Sequence, residues 1–353
     1  MRIIKQLLAL LVVLVLVLAG CQSGTPQTTA PAPAPAPPPQ EQPQDDEPYD
    51  EHTRVSMNVG GLYGPTGIAL VGMADAARRG DARHEYNVTF VASPDIIQGR
   101  ILSGELDIAA MPTNLAAVLH NRTDGEVTMI ALSRLSVLHI VQVPGEPEDE
   151  IRSIEDLRGR TLFTHGQGTT QEYVLNFLLS QAGIDPENDI EIVFQPEHAA
   201  VVANMLDGRA TVGMLPQPFV TTIALQNPDI VPVLDISGEW LDATGGVELA
   251  MSCIVVRTDF LESNPQAVLD FLEDIAASAR FAMDNIEEAA QLVGEFEIIP
   301  EHVALRAIPY SNISIVSGLE MKTAVQAYLM VLYEQNPASV GGALPYEGFF
   351  FVP

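Results

Sequence analysis

Val88-Thr-Phe-Val-Ala-Ser-Pro-Asp-Ile-Ile-Gln-Gly-Arg-Ile-Leu-Ser-Gly-Glu-Leu-Asp-Ile-Ala-Ala110 holds a complete strand–helix–strand unit. Val88–Ala92 is a short apolar and β-branched run, the composition of a strand. Ser93 then stands at a helix N-cap, Pro94 at the first helical position and Asp95 in the first turn, where each residue type is favoured. Ile97 and Ile101, one turn apart, give that helix an inner face, and Gly104 ends it. Leu106–Ala110 reads as the next strand. A short strand, a helix and a second strand in this order form the unit of a mostly parallel sheet covered by helices.

The same rhythm runs outward from this unit. On its N-terminal side lie a strand at Val55–Val59, the glycine-rich stretch Gly60-Gly-Leu-Tyr-Gly-Pro-Thr-Gly67 and a helix at Ile68–Arg79. On its C-terminal side a helix at Thr113–His120 and a strand at Val127–Leu132 are expected. The alternation then restarts. Ser153–Asp156 opens a short helix that ends at Gly159, and Arg160–Thr164 is a strand. Thr169-Thr-Gln-Glu172 has the spacing of a capping box, opening a helix with Val174, Leu175, Leu178 and Leu179 on its buried stripe. Further strands are read at Ile190–Phe194, Thr211–Leu215 and Ile230–Leu234, with a helix at Glu197–Leu206 among the segments between them.

Two apolar extended runs, residues 136–143 and 250–257, separate the two sets of units. They are expected to be hinge strands that carry the chain out of a first lobe (54–135 plus 258–353) into a second (144–249) and back. Asn264-Pro265 opens a long helix with Val268, Leu272, Ile275 and Ala279 inward, and another helix starts at Asn285–Glu288. A second capping box, Ser317–Glu320, opens the last helix through Leu332. This C-terminal third is expected to pack on the first lobe. The fold class is therefore α/β: two lobes, each a mostly parallel sheet flanked by helices, joined by two hinge strands around a cleft.

The N-terminus says where such a body works. Arg2 and Lys5 precede an unbroken apolar run, Leu7–Leu18, that is shorter than the roughly 20 residues a spanning helix needs. Leu18-Ala-Gly-Cys21 then places two small residues directly before a cysteine, the junction that marks a lipoprotein signal. Residues 1–20 read as a cleaved export signal. Residues 21–53, an acylated Cys21 followed by Pro, Ala, Gln, Thr and acids, read as a disordered spacer that cannot offset its ordering entropy. Its central proline run favours an extended form. The expected location is the cell membrane, lipid-anchored and facing outside or the periplasm.

Composition narrows the partners. The chain has 353 residues, 17 Lys plus Arg against 46 Asp plus Glu, and a formal net charge of −29. A body this acidic lacks the positive footprint that nucleic acid requires and has no polybasic attraction to anionic lipid. An acidic, lysine-poor surface suits a high-salt habitat, where its self-repulsion is screened. Besides Cys21 only Cys253 remains, so no disulfide is expected, and Cys253 within Met251-Ser-Cys-Ile-Val-Val256 reads as a small buried hydrophobe. No metal or cofactor is expected.

The segments Gly104–Ala109, Ser153-Ile-Glu-Asp-Leu-Arg-Gly159, Leu206-Asp-Gly-Arg-Ala-Thr-Val-Gly-Met-Leu-Pro-Gln-Pro-Phe219 and Val255-Val-Arg-Thr-Asp-Phe-Leu261 occur here in a characteristic order. Together with the lipoprotein junction and linker, they make the chain resemble substrate-binding lipoproteins of ABC importers. The likeness is to the nitrate/sulfonate/taurine-type family with the type II periplasmic-binding-protein fold, and it covers most of residues 54–300. The resemblance implies capture of a small metabolite between two lobes and delivery to an ABC permease and ATPase. One departure is notable: family members often carry Glu-Pro in the second lobe's loop, where this chain has Gln217-Pro218.

In open α/β sheets ligands bind beyond the carboxyl ends of the strands, where helix N-termini offer free N–H groups. Four loops qualify. They give Tyr63, Gly64, Thr66 and Gly67; Pro112, Thr113 and Asn114; Gly166, Gln167, Gly168, Thr169 and Thr170; and Gln217 with Phe219 as candidate ligand contacts. None of the four loops contains Lys or Arg, and Arg134 is the nearest cation. A sulfonate- or nitrate-like anion held by helix ends and a neutral or cationic metabolite contacted by Tyr63 and Phe219 are both compatible. Other readings are the solute receptor of a TRAP-type carrier, a ligand-sensing lipoprotein and an enzyme of the same fold. Catalysis has no motif to support it: His84, His120, His139, His165, His198 and His302 are scattered, with no HExxH or GxSxG.

Overall fold

The computed structural model describes residues 54–134, 138–146 and 149–353. The expected signal, Cys21 and the spacer lie outside the described residues, as does the side chain of Arg134. The first run of elements is β1 (Ser56–Leu62), α1 (Pro65–Arg79), β2 (Glu85–Val91), α2 (Pro94–Leu102), β3 (Ile108–Pro112), α3 (Thr113–Arg122) and β4 (Val127–Arg134). The second is β5 (Leu138–Gln142), β6 (Thr161–His165), α4 (Thr170–Gln181), β7 (Glu191–Gln195), α5 (His198–Leu206), β8 (Val212–Pro216), α6 (Phe219–Gln226), β9 (Val231–Asp235) and α7 (Ile236–Ala243). The chain ends with β10 (Ser252–Arg257), α8 (Thr258–Ser263), α9 (Pro265–Asp284), α10 (Ile286–Glu295), α11 (Glu301–Ala307), β11 (Ser314–Ser317) and α12 (Gly318–Gln335).

These strands form two sheets, one in the order β11-β4-β10-β3-β1-β2 and one in the order β7-β6-β8-β5-β9. β1 pairs in parallel with β2 and β3, and β6 in parallel with β7 and β8. Each sheet also takes one antiparallel strand into its interior. β10 lies between β3 and β4, and β5 between β8 and β9. These two strands are the runs read as hinges. Both are paired along both edges and almost wholly buried, as expected of apolar strands covered on both faces. Residues 244–251, between α7 and β10, carry the chain from the second sheet back to the first.

The helical stripes follow the sequence. Val174, Leu175, Leu178 and Leu179 of α4 are buried, as are Val268, Leu272, Ile275 and Ala279 of α9. α1 and α9 approach closely because Gly72 has no side chain: a Cβ there would lie 2.9 Å from Phe281 and 3.1 Å from Ser278 Oγ. Ser278 Oγ donates to Ala69 O at 2.6 Å and accepts from Met73 N at 3.0 Å, satisfying a hydroxyl buried between the two helices.

Three expected caps differ in detail. Glu172 accepts from Gly168 N at 2.5 Å, while Thr169 Oγ1 takes Gln171 N, so the two side chains cap without forming the reciprocal box. Ser93 and Ser317 occupy extended N-cap positions, yet neither hydroxyl accepts a cap bond. The C-terminal third also reaches further than expected. α9 and α10 pack on α1, but α12 touches β4 and β11 on one side and α4 on the other. Tyr328 of α12 is fully buried against Trp240 of α7, with ring centroids 5.4 Å apart. One apolar core consequently runs from Met129 and Leu132 to Leu162 and Met214.

Candidate functional site

The carboxyl ends of β1, β2 and β3 face those of β6 and β8 across a cavity of about 140 Å³. Its walls include Tyr63, Thr66, Pro112, Thr169, Thr170 and Phe219, six of the residues expected from sequence. Gly166, Gln167 and Gly168 lie instead along a wider groove of about 610 Å³, which shares Pro94, His165 and Thr169 with the inner cavity. Gly64, Gly67, Thr113, Asn114 and Gln217 line neither. A larger open groove of about 760 Å³ beside Arg257 lies at the opposite end of the first sheet's strands, and Arg257 is committed there to Asp259 at 2.7 Å.

The residues outside the walls shape the site from behind. Gly64 ends the turn into α1 with φ 117°, a conformation that requires glycine. A Cβ at Gly67 would lie 2.7 Å from Leu62 O, so glycine there lets α1 dock on β1. Gln217 is buried, and its Oε1 accepts from Thr221 Oγ1 at 2.8 Å and Thr221 N at 3.3 Å, so its carboxamide caps α6. Asn114 is fully buried between the two halves. It donates to Gly168 O and Ser339 O, each at 3.2 Å, and accepts from Thr170 Oγ1 at 3.0 Å.

Most of the expected hydroxyls are likewise engaged within the protein. Thr66 Oγ1 donates to Leu62 O at 3.2 Å and Thr169 Oγ1 to Gly166 O at 2.6 Å. Sequence reasoning assigned these positions and the rings of Tyr63 and Phe219 but missed the histidine pair beside them. His165 ends β6 and His198 begins α5, and their rings meet edge-on with centroids 4.6 Å apart. Phe219 continues the wall 4.9 Å from His198. The available signal was topological: β6 and β7 are parallel neighbours, and the residues just after adjacent parallel strands share one rim. Gln171, Met251 and Ser252 complete the missed part of the lining.

The inner lining contains no Lys, Arg, Asp or Glu among the described residues. In the second half of the structure Arg152, Arg158, Arg160 and Arg209 are each paired with a carboxylate. Arg122 borders only the outer groove. Cys253 is fully buried beneath the site and its thiol is pushed up by desolvation, as suits a packing residue. Among the described residues no group of three or more His, Cys, Asp or Glu side chains is placed to hold a metal.

Burial, with a smaller contribution from His165, lowers the His198 pKa to about 3. The unfolded chain protonates this histidine below its ordinary value of about 6.5, while the folded protein leaves it neutral. Stability therefore falls as pH drops from about 6.5 towards 3. His198→Phe removes this contribution, so its melting temperature is expected to decline less steeply than that of the parent over that window. Parallel melting curves from pH 7 to pH 4 would contradict the assignment.

Comparison with known proteins gives this arrangement a context. The family described as ABC transporter, phosphonate, periplasmic substrate-binding protein matches residues 83–280. Among solved structures, an ABC transporter protein from Parabacteroides distasonis superposes with a TM-score of 0.69 at 22% identity, covering 84% of this chain and 98% of that one. The periplasmic aliphatic sulphonate binding protein SsuA from Escherichia coli gives 0.67 at 14% identity, covering 84% and 92%. The periplasmic nitrate-binding protein NrtA from Synechocystis PCC 6803 gives 0.59 at 14%, covering 80% and 82%. No curated protein matches. At these identities the structural likeness shows the two-lobed periplasmic-binding-protein fold.

Proposed function

Because the chain belongs to the phosphonate-type periplasmic substrate-binding proteins of ABC transporters, we propose that it captures its solute in the cavity between β1–β3 and β6–β8. The observation that supports this reading is the convergence of strand ends from both sheets on one half-open pocket, lined by Tyr63 from the first and Phe219 from the second. Capture there suits delivery to an ABC permease and ATPase, because a solute held between two lobes can be released when they part. The segment 244–251, between α7 and β10, is a proposed hinge. Differential affinity for the closed arrangement would drive closure. Membership in a substrate-binding family favours a binding role over catalysis.

Solute capture is tested by thermal melting across a panel of small metabolites. A solute at 100 times its Kd stabilises the folded state by about 2.7 kcal/mol. The expected result is at least one compound that raises the melting temperature in a saturable way. A panel spanning oxoanions, amino acids, sugars and heterocycles that produced no shift would count against the reading.

The proposed anchor is a lipid on Cys21, supported by the Leu18-Ala-Gly-Cys21 junction and the spacer behind it. Stable anchoring needs two acyl chains or an equivalent second signal, and the acidic body offers no basic patch to replace them. Cys21→Ser is expected to move the protein from the membrane fraction to the soluble fraction. Retention of that variant on salt-washed membranes would rule the anchor out.

A further inference from the structure

His165 offers a polar atom that is both reachable and fixed in direction, and the role assigned to it here rests on the capture reading above. The residue ends β6 and is part-exposed. It borders both the inner cavity and the outer groove, so a solute entering either space meets its ring. Nδ1 lies 3.1 Å from Gln195 O, at the end of the neighbouring strand β7. A carbonyl oxygen can only accept, so Nδ1 carries the ring proton and the neutral ring keeps its lone pair on Nε2.

Nε2 makes no hydrogen bond among the described residues. Unlike His198 Nδ1 and Gln171 Oε1, it is not shut off from the surface. The ring cannot turn freely, because it is tied to Gln195 on one side and meets His198 edge-on at 4.6 Å on another. A side chain held in this way loses little rotamer freedom when a solute arrives, so its acceptor is preorganised. The inner lining supplies no Lys or Arg among the described residues to occupy the lone pair.

We infer that His165 is a specificity-determining residue, which selects solutes that bring an O–H or N–H donor to Nε2. A solute of the same shape and charge that brings a methyl group or a bare oxygen there is rejected. Closing the site around a donor gives Nε2 a partner. Closing it around a methyl group desolvates the lone pair and returns nothing, which is why a site built to hydrogen-bond its solute discriminates against analogues that lack the group. The adjacent His198 is kept neutral by burial and brings no charge that would override this preference. Selection acts on the donor rather than on net charge, so it applies alike to an anion and to a neutral solute.

The test titrates the purified full chain by calorimetry at about pH 8, where an ordinary histidine is neutral. The probes are two matched pairs in which an NH2 group replaces a CH3 group: sulfamate against methanesulfonate, and benzamide against acetophenone. In at least one pair the amino member is expected to bind about tenfold more tightly than its methyl partner, the effect of one neutral hydrogen bond. His165→Phe keeps a ring at this position and is expected to bring the two members of that pair to equal affinity. His165→Gln puts an acceptor oxygen back near the place of Nε2 and is expected to keep the preference. Melting of each variant without solute confirms that it folds. If His165→Phe bound neither member, His165→Gln would decide: a preference kept there supports the inference, and a preference lost there overturns it. Equal affinities in the parent, or a preference undiminished in His165→Phe, would overturn the inference and leave solute capture standing. If none of the four probes bound, the inference would fall, while the broader melting screen decides solute capture separately.

Discussion

Replacing Trp240 with Ala is expected to lower the stability of the folded chain by about 4 kcal/mol, within the range for truncating a fully buried aromatic. Trp240 is the only tryptophan and has no exposed surface. Its ring meets Phe177 of α4 at 4.9 Å and Tyr328 of α12 at 5.4 Å. The substitution therefore empties the point where a helix from the C-terminal third locks onto the second sheet's helices. Trp240→Phe is expected to cost far less, because the indole Nε1 makes no hydrogen bond and most of the apolar volume is kept. Chemical denaturation of both variants checks this. A loss below about 1 kcal/mol for the alanine variant would mean that α12 does not hold the two halves together.

Asn114→Ala is expected to cost about 3 kcal/mol. The carboxamide is fully buried and serves three partners, Gly168 O, Ser339 O and Thr170 Oγ1. Truncation leaves each of them unpaired, at about 1–3 kcal/mol for a fully stranded group, reduced where the structure relaxes or water enters. Thr170→Val removes only one of these bonds and is expected to cost about 1 kcal/mol. Because the two residues touch, their effects should not add in the double variant. Strict additivity would show that the hydrogen bond between α3 and α4 carries no energy. Solute affinity should also fall in Asn114→Ala, because the bond fixes Thr170 at the cavity wall.

The fold was largely legible in the chain because its elements are short, capped and regularly spaced. Ile97 and Ile101 above Gly104, or Leu175 and Leu179 below Thr169, announce buried helix faces by local spacing alone. The two apolar runs read as hinges were harder. An extended run such as Val137–Val143 looks the same whether it spans two lobes or pairs inside one sheet, since only hydrogen-bonded neighbours distinguish the cases. Those neighbours lie far away in sequence: His139 is paired with Leu215 and Asp235.

The rim of the candidate site was legible in the sequence, while the employment of its side chains was not. Glycine-rich and Thr-rich loops after strands located the rim, because backbone turns and helix starts leave local signatures. The employment of each side chain depends on partners that no local pattern shows. Thr170 was expected to face a ligand, and its hydroxyl is spent on Asn114, 56 residues away. Gln217 was read as a changed ligand contact, and its carboxamide caps α6. His198 seemed one scattered histidine until the parallel pairing of β6 with β7 brought it onto His165.

The most direct measurement is a crystal structure of the protein soaked with whichever panel compound gives the largest saturable melting shift. Solute density enclosed between Tyr63 and Phe219, in contact with His198 and Gln171, is the expected result. Density confined to the outer groove near Arg122, or to the open groove beside Arg257, with the inner cavity empty, would contradict capture between the strand ends.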